Sequence, residues 1–158
     1  MDRDEEILSI SPLLLGLAPE DVRGLLEIAE LRSYETNQLV VEEGSPSDCL
    51  FILKEGEVQV EKEGAEVAVI LATFSQAGDF FGEMSLIDIL PRSAHIRACG
   101  PVAIWAFPKK ELTAYFTQSP RAQMTLILNI ARTLSLRLRD AGTHIVQLMR
   151  DLKTVRGK

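Results

Sequence analysis

Alternating apolar and polar residues predict a series of short strands through the middle of the chain. The strands begin at Leu31, and Val58 and Val60 alternate with Gln59 and Glu61, as in an antiparallel strand with one solvated face. Turns rich in Gly, Pro, Ser and charged residues separate the segments. Many short strands of this kind favour a small sandwich or barrel. The predicted strands cover residues 38–42, 49–53, 58–61, 67–74, 94–98 and 102–107.

Helical patterns flank the strands. Ser11-Pro12 predicts one helix start and Pro19-Glu20-Asp21 another, because Pro suits the first helical position and acidic residues suit the first turn. The second helix has one apolar face, formed by Val22, Leu25, Leu26 and Ala29. Beyond the strands, Pro108-Lys109 begins a short helix and Ser119-Pro120 begins the last one.

The last helix carries an apolar stripe whose steps alternate between three and four residues. This spacing is typical of a coiled-coil seam, and a lone apolar stripe in water is unfavourable, so we expect a second copy to cover it. The sequence therefore predicts a homodimer through residues 124–152, and Gly142 weakens the helix without changing the register. The stripe consists of Met124, Ile127, Ala131, Leu134, Leu138, Ala141, Ile145, Leu148 and Leu152.

Composition narrows the functional classes. A net charge of −6 argues against direct nucleic-acid binding, and the chain has no run of apolar residues long enough for a membrane span. The acidic start is unlike a secretory signal, so a cytoplasmic protein is expected, with Cys49 and Cys99 as free buried thiols. His95 and His144 lack neighbours with metal-ligand spacing, so no metal is expected. No nucleophile with a His and acid partner stands out, so we expect a binding protein rather than an enzyme.

The most informative segment is Phe81-Gly82-Glu83-Met84-Ser85-Leu86 followed by Pro91-Arg92-Ser93-Ala94. A carboxylate and a guanidinium stand nine residues apart among small residues. Glu83 suits adjacent hydroxyl groups, and Arg92 suits a bidentate contact with a phosphate. Gly82 permits close approach of backbone N–H groups to an anion, and residues 83–89 are expected to form a short helix facing it.

This segment, residues 81–94, resembles the phosphate-binding cassette of the cyclic nucleotide-binding domain family. That family includes bacterial catabolite activator proteins, regulatory subunits of protein kinase A and cyclic-nucleotide-gated channels. The resemblance covers about residues 12–140 and implies an eight-stranded β-roll of jelly-roll type, with helices before it and a long dimerisation helix after it. We therefore expect the roll and its N-terminal helices in residues 1–118 and the dimer helix in residues 119–158.

The resemblance also implies a ligand, cyclic AMP in preference to cyclic GMP, and a set of contact residues. Glu83 would bind the ribose 2′-hydroxyl and Arg92 the cyclic phosphate. In the catabolite activator branch a Thr-Ser pair on the dimer helix contacts the base, and Arg137-Leu138 stand in its place here. Arg137 is therefore interpreted either as a base contact or as part of a solvated flank of the coil. The full expected set is Gly82, Glu83, Met84, Ser85, Arg92, Ser93, Ala94 and Arg137.

Three alternatives remain open from the sequence. Glu83 and Arg92 could simply pair with each other on a surface loop. The same fold could serve as a ligand-free dimeric scaffold, or the chain could be a transcriptional regulator without its DNA-binding part, since few residues follow Leu152 and a helix-turn-helix needs more. For the sensor hypothesis, the partner that receives the signal is not identified by any motif.

Overall fold

Two antiparallel four-stranded sheets form the centre of the molecule in a computed structural model that describes residues 2–88 and 90–157. The eight strands of these residues are β1 (Glu30–Tyr34), β2 (Leu39–Val41), β3 (Cys49–Glu55), β4 (Val58–Glu63), β5 (Ala68–Phe74), β6 (Phe80–Phe81), β7 (His95–Ala98) and β8 (Val102–Pro108). Sheet one has the order β1-β8-β3-β6, and sheet two has the order β2-β7-β4-β5. The predicted fold class, an eight-stranded roll with flanking helices, is confirmed.

Strand β3 is apolar on both faces because each face belongs to a different core. Leu50 and Ile52 pack into a cluster with the helices, whereas Phe51 and Leu53 pack between the sheets. Side chains alternate across a strand, so a continuous apolar run is what such a central position requires. Strand β8 follows the same rule, with Trp105 and Phe107 in the first cluster and Ile104 and Ala106 in the second.

The helices cover the outer face of sheet one. They are α1 (Arg3–Ile10), α2 (Pro19–Ile28), α3 (Lys109–Gln118) and α4 (Pro120–Arg156), and a 3₁₀ helix, Glu83–Leu86, follows β6. Buried Leu8, Leu25, Leu112 and Leu126 bring all four α-helices into one cluster. Asn129 is buried in α4 and its amide donates to the carbonyls of Leu13 and Leu15, at 2.8 and 2.9 Å. Because a buried amide is costly without partners, these two bonds help to hold α4 against the segment between α1 and α2.

The prediction that a helix begins at Ser11-Pro12 was wrong. Helix α1 ends just before this point, and the Ser11 N–H caps it by donating to the carbonyl of Leu8 at 3.1 Å. A residue that precedes proline is disfavoured in the helical region, and Ser11 is extended, with φ −60° and ψ 132°. The acidic residues at the start of the chain lie in the first turn of α1, where they favour the helix through its dipole.

Two smaller expectations also needed correction. The helix expected over residues 83–89 is a single 3₁₀ turn, Glu83–Leu86, and Ile89 lies outside the described residues. Asp88 accepts a hydrogen bond from the N–H of Leu90 at 3.0 Å, which favours a turn in place of a longer helix. Cys49 is buried as expected, whereas Cys99 is exposed next to the turn before β8; both are free thiols.

Within the described part of the chain, helix α4 contacts the rest of the domain only in its first half, as far as Arg137. Its buried residues are Ala122, Leu126, Asn129 and Ile130, all within the first three turns. Beyond Leu134, which is partly buried against the core, the expected seam faces solvent in this single chain, since Leu138 is 75% exposed and Leu152 is 61% exposed. At 1.5 Å per residue the helix is about 55 Å long, far more than the roll needs for packing.

Candidate functional site

A cavity of ≈ 290 Å³ lies where the cassette, sheet two and α4 meet. Seven of the eight residues predicted as ligand contacts line it: Gly82, Glu83, Met84, Arg92, Ser93, Ala94 and Arg137. The eighth, Ser85, is fully buried and is not among the lining residues. Its hydroxyl has no hydrogen-bond partner within the part of the chain that the structure describes.

Four residues predicted only as strand positions form an apolar wall of this cavity. Val41 faces Ile96, Ile96 faces Val60, and Val60 faces Ala72, so one cross-strand row runs through all four strands of sheet two. Directly opposed residues share a face of a sheet. Sequence reasoning missed this wall, because alternation identifies the apolar face of each strand but not the register that aligns four of them.

Gly82 shapes the entrance to the cassette. Its φ of +73° lies in the left-handed region, which strongly favours glycine. A Cβ atom at this position would lie 2.8 Å from Nη1 of Arg92 and 3.0 Å from the carbonyl oxygen of Cys49. Glycine therefore meets two demands here, the backbone turn into the 3₁₀ helix and the close approach of Arg92.

Arg92 is held in place by backbone carbonyls. It is only 9% exposed, and its guanidinium donates to the oxygens of Cys49 at 2.6 Å and Gly82 at 3.3 Å. The guanidinium also lies 5.5 Å from the centre of the Phe51 ring. Burial lowers the pKa of Arg92, while the charge of Asp48, 3.9 Å away, acts in the opposite direction. An arginine remains protonated in proteins, so the cavity contains a fixed, poorly solvated positive charge.

Glu83 is buried beside this charge without pairing to it. The carboxylate is 6% exposed, and its Oε1 accepts a hydrogen bond from Nη1 of Arg137 at 2.8 Å. Among the ion pairs of residues 2–88 and 90–157, Glu83 appears with Arg137 and Arg92 with Asp48. The alternative of a simple surface pair between Glu83 and Arg92 was therefore wrong, since both side chains are buried and each has another partner.

Arg137 reaches the site from α4. Its second nitrogen, Nη2, donates to the carbonyl of Phe80 at 2.8 Å, and its guanidinium lies 5.0 Å from the Phe74 ring centre and 4.9 Å from that of Phe80. The expectation of a solvated flank does not describe this side chain, although it is one third exposed. Leu138, the neighbour in the sequence, faces solvent.

Lys62, on β4, contacts the C-terminal end of the cassette: its Nζ donates to the carbonyl of Ser93 at 2.9 Å. The loop before β3 is fastened to the cassette by two backbone bonds, from Gly44 N–H to the Arg92 carbonyl at 2.8 Å and from Arg92 N–H to the Ser45 carbonyl at 2.9 Å. These bonds constrain the backbone on both sides of the Arg92 side chain. The cassette is consequently a supported loop, which suits a preorganised binding site.

A family model described as "cyclic nucleotide-binding domain" matches residues 31–119, a segment that includes the cassette and all eight strands except the first residue of β1. This chain belongs to the cyclic nucleotide-binding domain family. The domain is thus of a regulatory, ligand-binding kind, related to protein kinase A regulatory subunits and to activator-type regulators.

The matching segments of two similar proteins are small parts of those proteins. The domain is 33% identical over 139 residues to glutaminase 1 of Bradyrhizobium diazoefficiens, covering 87% of this chain and 22% of that protein. It is 32% identical over 94 residues to a cAMP-dependent protein kinase regulatory subunit of Emericella nidulans, covering 60% of this chain and 22% of that protein. The chain thus spans about a fifth of the length of these two curated relatives.

Solved structures agree on the architecture. A cyclic nucleotide-binding domain from Methylobacillus flagellatus superposes with a TM-score of 0.79 at 26% identity, covering 90% of this chain and 80% of that one. The catabolite activator protein of Thermus thermophilus superposes with a TM-score of 0.74 at 29% identity, covering 87% and 63%.

Two further observations concern the described residues alone. Within residues 2–88 and 90–157, no group of three or more His, Cys, Asp or Glu side chains is arranged to hold a metal ion. None of the helices there has both the length and the apolar character that a membrane crossing requires.

Proposed function

We propose that this domain binds a cyclic nucleotide, cyclic AMP in preference to cyclic GMP, and acts as a regulatory sensor rather than as an enzyme. The observation that carries the proposal is the convergence of Glu83 and Arg92, nine residues apart in the chain, on one cavity with opposite charges and separate partners. The kinship with a cAMP-dependent protein kinase regulatory subunit, 32% identical over 94 residues, supports cyclic AMP as the first ligand to test.

Each part of the cavity matches a part of this ligand. Arg92 has five N–H donors and uses two of them on the carbonyls of Cys49 and Gly82, so others can meet the cyclic phosphate. Glu83 accepts the ribose 2′-hydroxyl, because an ionised carboxylate offers acceptors only. The row Val41, Ile96, Val60 and Ala72 supplies the apolar surface that small-molecule pockets commonly have.

Calorimetric titration of the purified domain with cyclic AMP and cyclic GMP tests the assignment. We expect saturable binding of both, tighter for cyclic AMP, with adenosine 5′-monophosphate as the control that has an open phosphate. Absence of binding by either cyclic nucleotide at millimolar concentration would favour the ligand-free scaffold of the same fold.

We also propose that the domain is a homodimer through Met124–Leu152 and transmits its signal through this helix. The support is the unbroken spacing of the seam together with its exposure in one chain, including Leu138, Ile145 and Leu148 at 75%, 58% and 52%. A single solvated helix with such a stripe is unfavourable, and a second copy buries it by symmetry. Light scattering at tens of micromolar tests the dimer. We further propose a cytoplasmic location and a separate output protein that receives the signal from the helix.

A further inference from the structure

Arg137 makes four close contacts with the residues around the cavity. It forms one ion pair, one bond to a backbone carbonyl and close approaches to two aromatic rings. Among the described residues that line the cavity, it is the one contributed by α4. Two nitrogens of its guanidinium therefore already donate to protein acceptors, the Glu83 carboxylate and the Phe80 carbonyl.

The ion pair determines which part of Glu83 remains for a ligand. Arg137 occupies Oε1 at 2.8 Å, and a carboxylate has a second oxygen with its own acceptor sites. A planar guanidinium that is also bonded to the Phe80 carbonyl permits little rotation, so it restricts the carboxylate it holds. A buried carboxylate without such a partner would be costly, since Glu83 is only 6% exposed.

We propose that Arg137 is a positioning residue for ribose recognition: it orients Glu83 so that Oε2 accepts the 2′-hydroxyl, and it does not read the base. This inference rests on the proposed function, because it concerns the same cavity. It assigns the discrimination between a ribonucleotide and a 2′-deoxyribonucleotide to a contact between residues 54 positions apart.

The test compares dissociation constants for cyclic AMP, 2′-deoxy cyclic AMP and cyclic GMP in the wild type, Arg137→Ala, Arg137→Lys and Arg139→Ala. Arg139 is exposed on the same helix and serves as the control. A hydrogen bond to a charged group predicts that the wild type prefers cyclic AMP over its deoxy analogue about tenfold or more. Arg137→Ala is expected to reduce this ratio towards one while leaving the ratio of cyclic AMP to cyclic GMP within about threefold. Arg137→Lys retains the charge without the fork and is expected to be intermediate.

The measured affinities distinguish a failure of the proposed function from a failure of the positioning role of Arg137. A wild type that binds none of the three ligands overturns the proposed function and this inference with it. Binding by the wild type with an unchanged hydroxyl ratio in Arg137→Ala overturns only the positioning role, and a change confined to the cyclic GMP ratio identifies Arg137 as a base contact instead. If Arg137→Ala does not fold by circular dichroism, Arg137→Gln replaces it, because the amide can still donate to the Phe80 carbonyl but carries no charge.

Discussion

At the residue scale, Arg92 has a structural role, since it donates to two backbone carbonyls, and in the proposed function it also binds the ligand phosphate. Replacing it by Ala removes a charge-assisted contact to a phosphate, and it also leaves the Cys49 carbonyl without its 2.6 Å donor. We expect cyclic AMP affinity to fall at least about a hundredfold and the free energy of unfolding to fall by about 1–3 kcal/mol. Calorimetry and thermal denaturation measure the two effects.

The variant Arg92→Gln separates the loss of nucleotide affinity from the loss of stability. Its amide can still donate to a carbonyl, so stability is expected to recover in part while nucleotide affinity does not, because the charge is missing. Arg121→Ala, an exposed change on α4, is the matched control. Wild-type affinity in Arg92→Ala would show that the cassette assignment is wrong.

Glu83→Gln is the milder change at the other end of the cassette. The amide oxygen can still accept one hydrogen bond, but the ion pair with Arg137 is lost. We expect a smaller loss of cyclic AMP affinity than for Arg92→Ala, about tenfold, and a much smaller loss for 2′-deoxy cyclic AMP. Isothermal titration of both ligands measures this; equal losses for the two would contradict the role given to Glu83.

At the scale of elements, α4 divides into a packed beginning and an exposed continuation. Leu138 is 75% exposed in the single chain and lies at the centre of the seam, between Leu134 and Ala141. Leu138→Glu would place two like charges face to face if the helices pair, and burying an unpaired charge is costly. We therefore expect this variant to be monomeric by light scattering, while the wild type is dimeric at tens of micromolar.

Arg139→Glu, one residue further along and outside the seam, is the control for the added negative charge. A monomeric wild type would contradict the dimer. The small residues Ala131 and Ala141 thin the seam, so a moderate dimer affinity is expected rather than permanent association.

Strands and helices were predictable from the sequence where the local pattern of apolar residues determines them. Strand β4 was recognised from Val58 and Val60, although it continues two residues further than predicted, and α2 begins at Pro19 as its capping signals indicate. Strand β6 was missed because two residues carry no period; Phe80 and Phe81 become a strand only by pairing with Ile52 and Phe51. Helix α1 was misplaced because Ser11-Pro12 was interpreted as a start, although the proline disfavours helix in the residue before it.

At the scale of the whole molecule, Arg137 connects the cassette to the helix that carries the seam. If the ligand binds between them, amide hydrogen exchange is expected to slow in residues 83–88 and in α4 around Leu134–Leu138 together. A ligand shifts an equilibrium only through its different affinities for the two states, so joint protection is the signature of coupling. Peptide-resolved exchange with and without saturating cyclic AMP measures it, with the β1–β8 pair as an internal reference.

Protection confined to residues 83–88 would mean that the nucleotide is captured without a response of α4. That result would leave binding intact and remove the switch. It would favour a nucleotide buffer or a scaffold over a sensor.

The sequence by itself determined the local chemistry of this domain: the order of small residues, carboxylate and guanidinium in the cassette, the strand periodicity and the seam spacing. These are properties of residues that are close in the sequence, and they depend on interactions over only a few positions. Only the tertiary structure decided that Arg137 meets Glu83, that Arg92 meets the Cys49 carbonyl 43 positions away, and that four strands align one apolar row in the cavity. Such contacts depend on sheet register and on where α4 packs, and the packing energy of the entire core sets both.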